Sequence, residues 1–218
     1  MSPRPPDIDG LFTDGRAYDL RHIREGLAAT IRVVTGADLH LPSGRVVACE
    51  PATAFPKGAQ RHAFIQRAEP GSYPVELAVA DYHRSGPRGS SLPYVAAARI
   101  VVRDEPVAAW RLALLEGQDD TALAEDEFYG YPVDGGMGAL GSPEAFDSPD
   151  AVEDLMWEAD SLEDFDTAGV YTNAVTGHNV VFFHTGEGDG HYPTWVGYTA
   201  GGAVAGFASC FMTLSADR

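Results

Sequence analysis

Side chains able to bind a metal ion are concentrated near one glycine-rich stretch, TGEGDGHYP, at residues 185–193. Glu187 and Asp189 supply carboxylate oxygens, which calcium prefers on a flexible loop. His184 and His191 supply imidazole nitrogens, which suit zinc or iron. The alternation of acids and glycines does not match the Asp-x-Asp-x-Asp-Gly spacing of a calcium-binding loop. These four residues are therefore candidate metal ligands, and binding of a divalent cation stays an open alternative.

The same stretch is typical of a turn at the end of a strand, because only His184 separates it from the apolar run NVVFF. Glycine adopts a positive φ at little cost, so Gly188 and Gly190 are predicted to do so. An Asp side chain in such a turn commonly accepts hydrogen bonds from nearby backbone N–H groups. We therefore interpret Asp189 first as a turn residue, with metal binding as the alternative.

A second candidate site lies upstream, in YGYPVDGGMGAL at residues 129–140. Its glycines could cradle an anion, but such a loop normally has a Lys or Arg and a following helix. A tight turn or β-bulge is the favoured interpretation. Asp134 is predicted to be a buried partner in structural hydrogen bonds, with catalysis as the alternative. The candidate binding residues are Asp134, Gly136, Glu187, Asp189 and Tyr192. If the protein is an enzyme, the candidate catalytic residues are Asp134, Asp189 and His191.

Motifs for nucleophilic catalysis are absent, since the sequence has neither Gly-x-Ser-x-Gly nor His-Glu-x-x-His. Cys49 is followed by Glu50, whose charge would raise the thiol pKa instead of activating the thiol. Cys49 and Cys210 lie in apolar runs and lack the spacing of a zinc site, so both are predicted to be buried free thiols. No catalytic residue is assigned from motifs, which favours a protein that is not an enzyme. The tryptophans are predicted to be core residues: Trp110, Trp157 and Trp195.

Charge is distributed unevenly along the 218 residues. Residues 1–111 contain fourteen bases and twelve acids, whereas residues 112–217 contain twenty acids and no Lys or Arg. With Arg218, the formal net charge is −17. A surface this acidic repels phosphate groups, so we expect no nucleic-acid partner. It would attract a cation or a basic protein. The alternative interpretation is that the acidic surface has no partner and is a solvated face that keeps the protein soluble.

Apolar residues near the N-terminus recur at three- and four-residue steps, which predicts an amphipathic helix from about residue 17 to 34. The stripe consists of Leu20, Ile23, Leu27, Ile31 and Val34. Residues 1–15 are rich in proline and aspartate and are predicted to be a flexible arm. The predicted organisation is therefore an arm at 1–15, an N-terminal helix at 16–36 and a single β-rich domain at 37–218.

From residue 37 the apolar period changes to two, which is typical of strands. Strand–turn–strand patterns occur in ADLHLPSGRVVACE (37–50) and YPTWVGYTAGGAVAGFASC (192–210). With the runs between them, eight or nine strands are predicted. The fold class is therefore mainly β (α+β), as an antiparallel β-sandwich or a rolled sheet. The acidic segment at 149–160 has a helical apolar face and is predicted to be a short amphipathic helix.

A family resemblance is carried by three stretches, LPSGRVVACEP (41–51), YGYPVDGGMGAL (129–140) and NVVFFHTGEGDGHYPTWVGYTAGGAV (179–204). In this order they resemble a bacterial family catalogued as domain of unknown function 4241. The resemblance covers about residues 37–214 and implies no established activity. It implies only pattern positions: Asp134, Gly136, Asn179, Gly188, Asp189, Gly190 and Tyr192. This chain departs from the pattern at Ser142, Glu187 and Cys210-Phe211, where the family typically has an acid, a Trp and Asp-Phe.

The leading functional hypothesis is a non-enzymatic binding protein whose acidic C-terminal half docks a basic protein, as an inhibitor or immunity protein does. One alternative is a metal-dependent or carboxylate-based hydrolase that uses the region of Asp134 and Asp189. Another is a structural or assembly module. No cofactor is predicted. No signal-peptide pattern or membrane-spanning run occurs, so we expect no membrane partner and a cytoplasmic location. The oligomeric state stays open.

Overall fold

The computed structural model describes residues 3–20, 25–53, 59–84, 92–148, 150–211 and 214. Within that part of the chain the strands are β1 (Ala17–Asp19), β2 (Leu27–Leu41), β3 (Arg45–Cys49), β4 (Ala63–Arg67), β5 (Gly71–Arg84), β6 (Leu92–Val101), β7 (Ala109–Leu112), β8 (Tyr131–Val133), β9 (Met137–Gly141), β10 (Ala168–Thr172), β11 (Asn179–His184), β12 (Gly190–Tyr192), β13 (Thr194–Tyr198) and β14 (Val204–Cys210). The α-helices are α1 (Ile8–Leu11) and α2 (Ala151–Asp160). Short 3-10 turns occur at Pro51–Thr53, Ala59–His62, Asp120–Ala122 and Pro143–Phe146. The mainly β, antiparallel fold class is confirmed.

The larger main sheet has seven antiparallel strands in the order β1-β2-β5-β6-β14-β13-β7. It curls into a half-barrel, as expected for a rolled sheet. The pairing of β2 with β5 is interrupted by a register shift between Thr35 and Asp38. A second shift, between Ala78 and Val79, interrupts the pairing of β5 with β6. Such irregularities bend a strand and increase its twist, which allows the long strands to curve.

The smaller main sheet has five strands in the order β10-β11-β9-β3-β4 and separates two apolar cores. Successive side chains of a strand point to opposite faces. On β3, Val46 and Ala48 therefore join the core shared with the seven-stranded sheet, whereas Val47 and Cys49 join the second core. That second core also contains Leu155 of α2. The layers are thus the curled sheet, the five-stranded sheet and α2.

The predicted N-terminal helix at residues 16–36 is wrong. Residues 17–19 form β1 and residues 27–41 form β2, and the two strands pair antiparallel, with Ala17 opposite Thr30. The segment TIRVVT (30–35) is dense in β-branched residues, which favour extended backbone. Ile31 is buried and Val33 and Val34 are partly buried against the main core, so this segment belongs to the β structure. Ile23 of the predicted stripe lies outside the described residues.

The prediction of a flexible arm at residues 1–15 is wrong for residues 3–15. Ile8 and Leu11, both on α1, are each 1% exposed and belong to the main core. Asp7 holds this segment in two ways. Its carboxylate accepts a hydrogen bond from the Gly10 N–H at 3.0 Å and another from Arg16 at 2.6 Å. The N-terminal segment is therefore an integral part of the packed protein.

The short acidic helix predicted at 149–160 is confirmed as α2, and its Leu155 is fully buried. Pro149, predicted in its first turn, lies outside the described residues. The assignment of every tryptophan to the core is wrong for one of them. Trp157 on α2 is 70% exposed, whereas Trp195 on β13 is buried. A helix that covers one face of a sheet has an outer surface, and Trp157 lies on it.

Candidate functional site

The two glycine-rich stretches identified in the sequence meet in the structure. β8 and β12 pair antiparallel as a separate two-stranded sheet. Next to this pair, the Thr185 N–H donates a hydrogen bond to the Gly136 carbonyl at 2.9 Å. Gly136 has a φ of 68°, as expected for a tight turn. We call residues 133–136 and 185–192 together the glycine corner.

The turn interpretation of residues 185–188 is confirmed. The Gly188 N–H donates to the Thr185 carbonyl at 2.9 Å, and Gly188 has a φ of 79°. The hydroxyls of Thr185 and Tyr192 each donate to the Gly188 carbonyl at 2.8 Å. Two details of the prediction are wrong. Gly190 does not have a positive φ. The exposed Asp189 carboxylate accepts no backbone hydrogen bond from the described residues, because the hydroxyls close the turn instead.

Asp134 does not have the buried, hydrogen-bonded side chain that the sequence predicted. Its side chain is exposed, and its backbone N–H donates to Glu50 Oε1 at 2.9 Å. The Gly135 N–H donates to the same oxygen. The buried carboxylate of this corner therefore belongs to Glu50, which is 1% exposed. Sequence reasoning missed it as a site residue, although an acid that directly ends the apolar strand RVVAC was a usable signal.

The four candidate metal ligands are not brought together as one ligand set. His184 Nε2 donates to the Leu162 carbonyl at 3.0 Å, and its ring stacks on Phe165 with centroids 4.3 Å apart. His191 is exposed and stacks on Phe128 at a centroid distance of 6.2 Å. Within the described part of the chain, no group of three or more His, Cys, Asp or Glu side chains is placed to hold a metal ion.

The two cysteines are buried and free, as predicted. Burial, and secondarily the neighbouring Glu50, raises the pKa of the Cys49 thiol well above its ordinary value. Burial raises the pKa of Cys210 to about 12. Because the thiolate is the reactive form, neither cysteine has the properties of a nucleophile at neutral pH.

A cavity of about 380 Å³ lies beside the glycine corner. Three of the candidate residues line it, namely Gly136, His184 and Glu187. Its other walls include the aromatic rings of Tyr94 and Phe165. The candidates that do not line it are Asp134, Asp189, His191 and Tyr192. The glycine corner thus combines a cavity with exposed acids, but none of the three candidate catalytic residues lines the cavity.

Glu187 acts electrostatically on two tyrosines near this cavity. Burial, and secondarily the charge of Glu187, raises the pKa of Tyr82 to about 12 from an ordinary value of 10.0. The same two causes raise the pKa of Tyr192. A folded-state pKa above the unfolded value means that the folded protein keeps the phenol proton longer. The resulting stability is complete below pH 10 and is lost as the pH rises towards 12.

We expect Glu187→Gln to lower the pKa of both Tyr82 and Tyr192, because it removes a negative charge that opposes phenolate formation. Ultraviolet absorbance of tyrosinate during an alkaline titration measures this, and a Tyr82→Phe background assigns the transitions. Asp189→Asn is the matched control. It should lower the pKa of Tyr192 alone, since Asp189 acts on that tyrosine and not on Tyr82. Identical titration curves for the wild type and Glu187→Gln would contradict this placement of Glu187.

Acidic side chains on α2 surround an exposed aromatic residue. We call the exposed residues Glu153, Met156, Trp157, Glu158 and Asp160 the acidic helix face. Trp157 is the most exposed large apolar residue of the helix at 70%, and Met156 is 36% exposed. Exposed tryptophan on an otherwise polar helix is uncommon, since aromatic side chains are mostly buried. The acidic helix face is therefore the second candidate site, and the sequence did not predict its aromatic component.

Part of the acidic charge is neutralised by arginines from the N-terminal half. Arg32 pairs with Asp166 at 2.8 Å and with Asp81 at 3.1 Å. Arg4 lies 3.9 Å from Glu125. By contrast, the acids of the acidic helix face form no ion pair with any described residue. The negative charge around Trp157 is therefore not compensated by any basic side chain that the structure describes.

The fold and the two candidate sites define a class of protein: an acidic, antiparallel β protein with a glycine corner and an exposed aromatic helix. The family model described as "Protein of unknown function (DUF4241)" matches residues 39–209. The chain belongs to that family, which confirms the resemblance seen in its three motifs. No curated protein and no solved structure gives a significant match. In the part of the chain that the structure describes, neither helix has the length and apolarity required to cross a bilayer.

Proposed function

We propose that this protein is a non-enzymatic binding protein that docks a basic protein partner through the acidic helix face. The observation that carries the proposal is the 70% exposure of Trp157 among acids that have no basic partner in the described chain. Tryptophan is enriched among residues that dominate binding energy at protein interfaces. A rim of negative charge selects a partner of opposite sign and speeds its approach.

The charges of α2 support a role in binding over a role in stability. Glu158 and Asp160 lie near the helix C-terminus, where the helix dipole disfavours negative charge. No basic residue occurs in the last turn, and Asp150 at the N-terminus makes no capping hydrogen bond with its side chain. The two acids near the C-terminus thus cost the helix stability, whereas Glu153 and Asp154 in its first turn suit the dipole. Such costs are typical of surfaces retained for function.

The alternative of a carboxylate-based hydrolase has one supporting observation, the meeting of the two stretches that contain Asp134 and Asp189. Both carboxylates are exposed and neither lines the adjacent cavity. A general acid or base usually needs a partly desolvated position that tunes its pKa. The glycine corner is therefore better explained as a structural turn, and docking is the better supported function.

We expect the acidic helix face to bind basic peptides with strong salt dependence. The probe is a panel of labelled Lys/Arg-rich peptides that each contain one large apolar residue, with Gln-substituted peptides as neutral counterparts. Affinity for the basic peptides should fall steeply as salt rises, because screening weakens attraction between exposed charges. Fluorescence anisotropy at several salt concentrations measures this.

The double substitution Glu153→Gln with Glu158→Gln should weaken binding and flatten the salt dependence. The matched control is Asp104→Asn with Glu105→Gln, which removes the same charge from the turn between β6 and β7 on the seven-stranded sheet. That control should retain most of the affinity. Equal losses in both double variants would show that net charge, and not the acidic helix face, attracts the peptide. Affinity independent of salt would overturn the proposal.

A further inference from the structure

We propose that a second cavity, beside Glu50, binds a small organic amine with an apolar body. The cavity has a volume of about 270 Å³. It lies where the end of β3 and the start of β4 approach the segment that follows β7. There the Ile65 N–H donates to the Leu114 carbonyl at 2.8 Å and joins the two main sheets at their edges. Its apolar wall includes Ala48, Phe64, Ala113, Leu115, Tyr131 and Pro132.

Glu50 is a buried carboxylate with one oxygen that has no hydrogen-bond partner. Its Oε1 accepts hydrogen bonds from the backbone N–H groups of Asp134 and Gly135, which fix the orientation of the carboxylate. Its Oε2 is buried and has no hydrogen-bond partner among the described residues. Leaving a buried acceptor unsatisfied costs about 1–3 kcal/mol, and more for a charged group. Buried polar atoms in native proteins nearly always have a partner. Because Glu50 lines the cavity, its Oε2 is the acceptor that an occupant of the cavity would satisfy.

Two other polar side chains on the cavity wall are already engaged, whereas the buried hydroxyl of Tyr131 also has no hydrogen-bond partner among the described residues. Thr194 Oγ1 and Ser209 Oγ share a hydrogen bond of 2.7 Å. Gln118 Oε1 accepts from the Leu115 N–H at 2.8 Å. Burial lowers the pKa of His62, so its ring is neutral near pH 7. Of the described residues that line the cavity, none is Lys or Arg, and Glu50 is the only acid.

These properties select the chemistry of the occupant. A single carboxylate in an apolar recess is best satisfied by a positively charged group that donates hydrogen bonds, as an ammonium does. The rings of Phe64, Tyr129 and Tyr131 line the same space and suit both an apolar body and a nearby cation. The cavity lies just below the range of about 300–1,000 Å³ for drug-sized ligands, so the occupant is small. A primary amine on a short aromatic body fits these requirements.

The test uses three probes of matched shape, phenethylamine, 2-phenylethanol and phenylacetate, titrated into the full chain and followed by calorimetry and thermal denaturation. We expect phenethylamine to bind at least tenfold more tightly than 2-phenylethanol, and phenylacetate not to bind. Glu50→Gln keeps the shape of the side chain and should abolish the preference for the amine. Asp104→Asn removes an exposed carboxylate from the turn between β6 and β7, which does not line the cavity, and should leave the preference intact.

Two further results keep the inference falsifiable if Glu50→Gln does not fold. The cavity-filling substitution Ala113→Leu should abolish amine binding, because Ala113 lies on the cavity wall and is 3% exposed. The preference of the wild type for the amine over the alcohol needs no variant at all. Equal affinities for amine and alcohol would overturn the inference. So would a wild type that binds none of the probes at millimolar concentration.

Discussion

Trp157→Ala is expected to weaken binding of a Lys/Arg-rich peptide by about 30- to 100-fold, which corresponds to roughly 2–3 kcal/mol at a central aromatic residue. The physical reason is the loss of a large apolar surface that is 70% exposed in the free protein and available for burial in a complex. The charge of the acidic helix face is unchanged in this variant. The salt dependence of the remaining affinity should therefore match that of the wild type.

The measurement combines peptide titration with tryptophan fluorescence. Emission of exposed Trp157 should shift to shorter wavelength when a partner covers it, and Trp157→Phe should remove that shift while keeping much of the affinity. Ile65→Ala is the matched control, because Ile65 is an exposed apolar residue, 53% exposed, on a different part of the surface. It lies on β4, at one edge of the five-stranded sheet, whereas α2 packs against β10 at the opposite edge. If Ile65→Ala weakened binding as much as Trp157→Ala, the aromatic anchor would not be on α2.

Gly44→Ala is expected to destabilise the protein by about 3 kcal/mol or more, because two independent penalties act at this turn. Gly44 joins β2 to β3 with a φ of 70°, which costs a non-glycine residue energy. In addition, a Cβ at this position would lie 2.1 Å from the Ala68 carbonyl oxygen. The backbone of Ala68 is itself fixed in position, because its N–H donates a hydrogen bond to the Gly44 carbonyl at 2.8 Å.

Thermal and urea denaturation would measure this loss, with a fall in Tm of roughly 6–12 °C for a chain of this size. Gly177→Ala is the control, because Gly177 has a φ of 72° but no atom of the described residues within 4 Å of the point that a Cβ would occupy. Only the conformational penalty applies there, so its cost should be about 1 kcal/mol. Similar losses at both glycines would mean that close approach to Ala68 does not constrain the turn.

The strand pattern beyond residue 37 was predictable because each strand alternates between two environments. In β3, for example, Val46 and Val47 contact different cores, and the turn at residues 42–44 is marked by proline, serine and glycine. The N-terminal strands were not predictable by the same reasoning. Leu27 and Ile31 match a helical spacing by chance, while pairing of β2 with β5 along its length decides the structure. Tertiary pairing overrides a local pattern of this kind.

The candidate site was predictable only in part, for a related reason. The sequence identified both halves of the glycine corner, because the need for glycine in a tight turn depends only on the local backbone conformation. It assigned the buried carboxylate to Asp134, whereas Glu50, far away in sequence, accepts the Asp134 N–H. It also placed Trp157 in the core, because hydrophobicity alone does not show which side of a helix faces a sheet. Long-range contacts and helix orientation are properties of the assembled layers.

The position of β14 in the seven-stranded sheet has a consequence for how the chain is made. β14 is the last strand along the described chain, yet it lies between β6 and β13 near the middle of the sheet. Ala97 of β6 pairs with Cys210 of β14, more than a hundred residues later. While the ribosome is still synthesising the segment between them, the edge of β6 that pairs with β14 has no native neighbour. Completion of this sheet therefore waits until Cys210 has emerged, and folding of the sheet is dominated by contacts distant in sequence.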